Sequence, residues 1–310
     1  MSQKIAIVGA GAIGSYYGAR LARAGAEVHF LFRGDLAAVR AHGLKISAPD
    51  GNFTLAPVHA HASPAEIGPC GLVIIALKAT AGAALGELLP PLLHERTALL
   101  TLQNGLGPHE ELAARFGPTR VLGGLCYVCI NRLAPGEIAC TTFNATALGE
   151  WSSPATPRLH ALADLFERAC LKPRVTGNFA EQRWGKLVWN IPFNGLAIAG
   201  GGVTTDVILA RPDLATRARR LMDELIAAAP RLGFALPADW ADRQFRVTEK
   251  IGAYQPSSLV DYLAGREVEV EAIWGEPLRR AEAAGAAMPE LTYLYRELLH
   301  LTHTSTRRTP

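Results

Sequence analysis

Gly9-Ala10-Gly11-Ala12-Ile13-Gly14 follows directly on the chain's first apolar run, Ile5-Ala6-Ile7-Val8, and opens into a helix-compatible stretch. That order of strand, glycine turn and helix constrains the fold more than any other segment. The first glycine permits a tight turn out of the strand, and the second lets the backbone approach a pyrophosphate. The third allows the helix to pack close to the strand. The helix N-terminus then presents N–H groups to the phosphates, so residues 9–14 are the candidate contacts of a dinucleotide. A second strand, Val28 to Phe32, ends in Arg33. An acid near this point holds the ribose 2′-hydroxyl of NAD, whereas an arginine accommodates the 2′-phosphate of NADP. Arg33 favours NADP; Asp35, two residues on, is the acid that would favour NAD, and both stay open.

The 310 residues suffice for two domains, each with its own core. With 49% apolar and 19% charged residues the chain is of ordinary globular type, and no apolar run is long enough to span a bilayer. A net charge of +3, with scattered basic residues, argues against a nucleic-acid partner, and the pair Arg307-Arg308 lies in a polar tail. The apolar stretch from Ile5 to Ile13 contains glycines and lacks a cleavage-like segment. It reads as strand, turn and helix rather than as a signal peptide, and a cytoplasmic protein is expected. No membrane partner is expected, and a homodimer is left open.

Five cysteines are scattered along the chain: Cys70, Cys126, Cys129, Cys140 and Cys170. Cys126-Tyr127-Val128-Cys129 has CxxC spacing but falls in a strand-like segment, with no second pair to complete a metal site. Buried small side chains are the expectation, with no metal.

The first half alternates between strands and helices. A hairpin is expected from Leu44–Ser47 and Asn52–Val58. The apolar run Leu72–Leu77 fits a strand buried on both faces. Gly82–Leu89 reads as helix, Ala98–Leu102 as strand and Pro108–Phe116 as helix. Val121–Glu150 is β-rich around a turn at Ala134-Pro135-Gly136. A helix over Pro157–Ala169 and a short strand near Val175 close the unit. This alternation predicts an α/β fold, a Rossmann-type doubly wound parallel sheet over residues 1–177. From about Asn178 apolar residues recur at helical spacing, as in Leu214, Ala218, Leu221, Met222 and Leu225, and again in Leu291, Leu294, Tyr295 and Leu298. Residues 178–310 are therefore expected to form an all-helical domain.

Ligands of doubly wound sheets bind beyond the carboxyl ends of the strands. Lys78 and Asn104 follow two such strands. Lys186, Asn190 and Asn194 recur at i, i+4 and i+8, a single polar stripe on an otherwise apolar helix containing Trp189 and Phe193. Aligned polar groups in that setting are costly to bury without partners, which points to a ligand. Pro192, inside the helix, is expected to kink it and to leave a carbonyl unbonded. Ser257 or Ser258 is expected to cap the helix that begins after Pro256. Glu269 follows in the next helical stretch; from the residues alone it reads as a surface acid.

Taken together, Gly9 to Gly14, Arg33, Ala76-Leu77-Lys78-Ala79, Gln103-Asn104-Gly105, the Lys186-x₃-Asn190-x₃-Asn194 helix and the stretch from Pro256 to Glu269 resemble the ketopantoate reductase family. The resemblance implies a Rossmann domain followed by an all-α domain and a cofactor of NADP(H). It also implies roles residue by residue. Arg33 and Lys78 would bind cofactor phosphates, and Asn104 would lie beside the nicotinamide and the substrate. Lys186 would be the catalytic lysine, with Glu269 close to it. Asn190 and Asn194 would contact the substrate, and Ser257 would hold its carboxylate. The implied reaction is reduction of 2-dehydropantoate to pantoate, in pantothenate biosynthesis. Tyr254 departs from the family pattern, which often has Asn three residues before the serine. A reductase of another 2-keto acid or of an imine, and an NADP(H)-binding sensor without turnover, are the alternative readings.

Overall fold

Ile5–Val8 forms strand β1, with all four residues buried, as an unalternating apolar run requires of a central strand. The structure, a computed structural model, describes residues 4–305; Arg307 and Arg308 lie outside the described residues. The chain divides into two compact units, Met1–Asn104 with Pro108–Phe179, and Gly105–Gly107 with Ala180–Pro310.

In the first unit β1 is followed by helix α1 (Ala12–Arg23), β2 (Val28–Leu31), α2 (Leu36–His42), the hairpin strands β3 (Leu44–Ser47) and β4 (Phe53–Leu55), β5 (His59–His61) and α3 (Pro64–Ile67). Then come β6 (Leu72–Ile75), a 3₁₀ segment over Ala79–Ala84, α4 (Leu85–Leu88), β7 (Ala98–Thr101) and α5 (Pro108–Phe116). The paired strands β8 (Val121–Ala134) and β9 (Glu137–Glu150), helix α6 (Pro157–Arg168) and β10 (Pro173–Val175) complete it.

The strands lie in the order β4-β3-β9-β8-β7-β6-β1-β2-β5, with β10 added alongside β9. From β8 to β5 every neighbouring pair is parallel, in the order of a dinucleotide-binding sheet whose direction of winding reverses between β1 and β6. The other end departs from the all-parallel expectation, so the sheet is mixed. β8 and β9 run antiparallel, as do β3 and β4. The cause is local: Pro135-Gly136 joins two strands directly, and a parallel pairing needs a long crossover that this turn cannot supply. The cysteines of the CxxC lie on β8, Cys129 buried and Cys126 half-buried, and the register shifts between Tyr127 and Cys129.

All regular elements of the second unit are helices: α7 (Phe179–Ala199), α8 (Thr205–Ala210), α9 (Pro212–Ala228), α10 (Trp240–Ile251), α11 (Ser257–Leu263), a π-helical turn over Glu271–Gly275, α12 (Glu276–Ala283) and α13 (Pro289–Ser305). Leu214, Ala218, Leu221, Met222 and Leu225 of α9 are buried in one core with Leu187, Val188 and Ile191 of α7, and Leu291, Leu294 and Leu298 of α13 join it. The two buried indoles are satisfied by backbone, Trp184 Nε1 donating to Leu225 O and Trp274 Nε1 to Ile191 O, each at 2.9 Å. Among the described residues no helix is long and apolar enough to cross a membrane.

Candidate active site

The glycine turn lies where the winding of the sheet reverses. Gly9 has φ +97°, and a Cβ there would stand 2.6 Å from Leu77 N and 2.7 Å from Ala76 C. Any other residue would therefore push β1 and β6 apart at their carboxyl ends. A Cβ on Gly14 would sit 2.2 Å from Gly9 O, so the third glycine is what lets α1 start tight against the turn. Gly11 differs: nothing lies within 4 Å of its Cβ position. It stands at the N-cap of α1, and no side chain caps the helix. An open face, a 12-residue helix and no competing cap together suit a pyrophosphate. Ala10, Ala12 and Ile13 complete that turn.

Arg33 follows β2 exposed, with no ion pair or hydrogen bond among the described residues. Asp35 is already engaged. Arg132 on β8 donates to both carboxylate oxygens, through Nε at 2.7 Å and through its terminal nitrogen, and Gly136 N adds a third donor at 3.3 Å. The hydrogen bonds from Arg132 hold the Asp35 carboxyl below its ordinary range, partly opposed by burial. Arg132 lies 97 residues from Asp35 in sequence, and no local pattern announced the pairing.

Lys78 emerges exposed after β6, one residue beyond Leu77. Its carbonyl accepts a hydrogen bond from Gln103 Nε2 at 3.2 Å, while Thr101 Oγ1 donates to Gln103 Oε1 at 3.0 Å. Buried Gln103 thus ties the end of β6 to the end of β7. Half-buried Asn104 follows it directly.

In the helical unit Lys186 is half-buried, while Asn190 and Asn194 are 7% and 3% exposed. The two asparagines are used differently. The Asn194 amide joins α7 to α11: Nδ2 donates to Asn190 O at 3.1 Å, and Oδ1 accepts Ser258 N–H at 3.1 Å and the Ser257 hydroxyl at 3.5 Å. The Asn190 side chain makes no hydrogen bond among the described residues. Neither serine caps α11 from its own chain position. The N-cap is Pro256, Ser257 is the first helical residue, and the Asn194 amide supplies the acceptor that a capping side chain would. The Ser258 hydroxyl is buried without a partner among the described residues, and Ser257 is exposed.

Pro192 leaves α7 as one helix from Phe179 to Ala199. The missing N–H is the one that would reach Val188 O; just before the proline, Asn190 O accepts Asn194 Nδ2 and Ile191 O accepts the Trp274 indole. Glu269 differs from both local expectations. It lies just before the helical turns that lead into Glu271–Gly275, its carbonyl accepting Ile273 N–H at 3.1 Å, rather than inside a helix, and at 4% exposed it is no surface acid. A carboxylate so buried demands a cation or hydrogen-bond donors.

Beside the polar stripe stands an aromatic wall. The ring of Trp189 lies 5.1 Å from that of Phe193 and 6.4 Å from that of Tyr254. Trp189 Nε1 donates to Thr248 Oγ1 at 2.9 Å. The backbone of Tyr254 is pinned to buried Thr205, whose N–H donates to Tyr254 O at 3.0 Å and whose Oγ1 accepts Tyr254 N–H at 3.1 Å.

Two family models match the chain: "Ketopantoate reductase PanE/ApbA" over residues 5–153 and "Ketopantoate reductase PanE/ApbA C terminal" over residues 178–302. A 2-dehydropantoate 2-reductase of Nostoc sp. is 36% identical over 304 residues, covering 96% of this chain and 95% of that protein. The crystal structure of 2-dehydropantoate 2-reductase from Geobacter metallireducens GS-15 superposes with a TM-score of 0.93 at 42% identity, over 96% of this chain and 99% of that one. The corresponding structure from Methylococcus capsulatus gives a TM-score of 0.89 at 33% identity, covering 99% and 98% of the two chains. A glycine turn at the reversal of the sheet, a helix carrying Lys186, Asn190 and Asn194, and matches spanning both units agree on one assignment: the chain belongs to the ketopantoate reductase family.

Proposed function

We propose that this protein is an NADPH-dependent reductase of a 2-keto acid, with 2-dehydropantoate as the substrate and pantoate as the product, which places it in pantothenate biosynthesis. Residues 1–177 form the cofactor-binding domain in this reading, and residues 178–310 carry the substrate and catalytic groups. The observation that carries it is the stripe on α7. Half-buried Lys186 is followed by an asparagine whose side chain makes no hydrogen bond among the described residues and by a second asparagine that fixes the segment bearing Ser257.

The cofactor is a nicotinamide dinucleotide, and the turn at Gly9–Gly14 fits its pyrophosphate. NADPH is favoured over NADH because Arg33 is exposed for a 2′-phosphate while Asp35 is held by Arg132 and is a poor partner for a 2′-hydroxyl. Lys78 adds a second cation for the phosphates, and Asn104 orients the nicotinamide and the keto acid.

A bound reduced nicotinamide supplies the hydride that adds to C2 of the keto acid. Lys186 stabilises the negative charge that develops on the C2 oxygen and delivers the proton that makes it a hydroxyl. Glu269 balances and orients the ammonium, a role that suits a buried carboxylate. Ser257 donates to the substrate carboxylate. Asn190 binds the hydroxyl arm, while Asn194 acts on the substrate chiefly by holding Ser257 and Ser258 in place.

NADPH oxidation followed with a panel of 2-keto acids tests the reading. Turnover of 2-dehydropantoate above the other members supports it. Turnover of another keto acid or an imine alone would reassign the substrate, and binding of NADPH with no turnover of any member would make the protein a sensor.

A further inference from the structure

Between Asn104 and α5 the chain passes through Gly105–Gly107, which belong to the helical unit. Hydrogen bonds to its backbone from Arg183 and to Ala272 hold this tripeptide there. The guanidinium of Arg183, only 3% exposed and on α7 one turn before Lys186, donates to Gly105 O at 3.3 Å. Leu106 N donates to Ala272 O at 2.8 Å.

The second bond has a specific origin. In an α-helix Ala272 O would accept the N–H of Glu276. Here the chain is π-helical over Glu271–Gly275, and the Glu276 N–H goes to Glu271 O instead. The next N–H in line would be that of residue 277, which is proline and has none. The widened turn and Pro277 together release the Ala272 carbonyl, and Leu106 takes it. The approach is close: Gly105 has φ +79°, and a Cβ on it would lie 2.3 Å from Ala272 O. Such π-turns inside helices recur at functional sites, and this one begins two residues after Glu269.

We propose that Arg183 and the Ala272 carbonyl form a clamp on Gly105–Leu106 that positions Asn104, and that Arg183 is a positioning residue for the reaction. The clamp's two jaws lie on the segments that carry Lys186 and Glu269, so one local structure fixes the carboxyl-side neighbour of Asn104 to both. The inference rests on the reductase reading of the site, because Asn104 matters only if a nicotinamide and a keto acid meet it.

The test uses the full-length protein and the variants Arg183→Gln, Arg183→Lys and Pro277→Ala. Proline 277 to alanine restores an N–H that competes for the Ala272 carbonyl without removing a buried charge. Three quantities are read: exchange of the Leu106 amide, NADPH affinity, and kcat with KM. In Arg183→Gln the Leu106 amide is expected to exchange about tenfold faster and kcat to fall about tenfold, with NADPH affinity unchanged. Arg183→Lys, which still carries a donor, restores most of kcat. Pro277→Ala moves exchange and kcat in the same direction, and decides the matter if Arg183→Gln does not fold. Faster exchange with unchanged kcat, or unchanged exchange, overturns the proposal. A wild type that turns over no keto acid refutes the functional reading separately. The exchange measurement then still judges the clamp, which falls if Arg183→Gln leaves the Leu106 amide protected and stands as a holder of Asn104 if it does not.

Discussion

Arg132 grips the carboxylate of Asp35 from both sides, its Nε 2.7 Å from Oδ2 and its terminal nitrogen on Oδ1. The acid closest to the end of β2 is thereby spoken for, and Arg33 is left as the charged side chain that faces solvent there. A guanidinium at this place suits a phosphate far better than a sugar hydroxyl.

Arg33→Ala is expected to weaken NADPH binding by about 1.5–3 kcal/mol, the range of a charge-assisted hydrogen bond, and to leave NADH binding almost unchanged. Titration of both cofactors against both proteins checks this. Equal losses for the two, or a wild type that prefers NADH, would remove Arg33 from the cofactor site.

The Asp35–Arg132 pair also carries a pH signature. The carboxyl is held below its ordinary range chiefly by the hydrogen bonds from Arg132. A carboxylate with a depressed folded-state pKa contributes stability that is fully present above the unfolded value, about 4, and is lost as pH falls through the folded value. The stability difference between wild type and Arg132→Ala should therefore be constant above about pH 4 and shrink below it. Arg132 is nearly half exposed, so the plateau should be no more than about 1 kcal/mol. Denaturant melts across the acid range measure it; a gap that widens toward low pH would contradict the assignment.

Lys186→Met should reduce kcat on the order of 100-fold while NADPH affinity is retained, because in the proposed mechanism the ammonium acts on charge that exists only in the transition state. Steady-state kinetics beside a binding titration separate the two. Near-normal turnover would leave Lys186 with no part in the chemistry.

The two asparagines of α7 should separate by phenotype. Asn194→Ala removes the acceptor for Ser258 N–H and the donor to Asn190 O, and is expected to cost about 1–3 kcal/mol of stability together with a raised KM for the keto acid. Asn190→Ala breaks no side-chain hydrogen bond within the described residues, so it should impair turnover or KM with little change in melting temperature. Thermal melts and kinetics on both variants distinguish the roles; the reverse pattern would exchange them.

In the proposed site, the wall beside that stripe is where substrate choice is tested. A site that hydrogen-bonds the hydroxyl of 2-dehydropantoate can reject 2-keto-isovalerate, which lacks the hydroxymethyl arm, by about 10⁴-fold in kcat/KM. The Tyr254 ring lies tilted 6.4 Å from that of Trp189 and offers a phenol where the family pattern often has an amide. Tyr254→Asn should widen the preference for 2-dehydropantoate if the ring crowds the arm. Equal kcat/KM for both keto acids in wild type would mark a broader reductase.

Much of this protein was legible in its sequence because the causes are local. Three glycines between a strand and a helix specify a tight turn with close backbone approach, and Gly9 and Gly14 stand where a Cβ would clash while Gly11 is open. Spacing by four placed Lys186, Asn190 and Asn194 on one face of α7 before any packing was known. Only the tertiary structure decided which of these polar groups are engaged. Asp35 and Arg132 pair across 97 residues, and Asn194 reaches 64 residues ahead to cap a helix whose own serines do not. Glu269 reads as a surface acid by itself and is a buried carboxyl only in the folded chain. Sequence sets conformations and faces through near-neighbour sterics and periodicity, whereas the partner of a polar atom is set by what the folded chain brings within 3 Å or so of it.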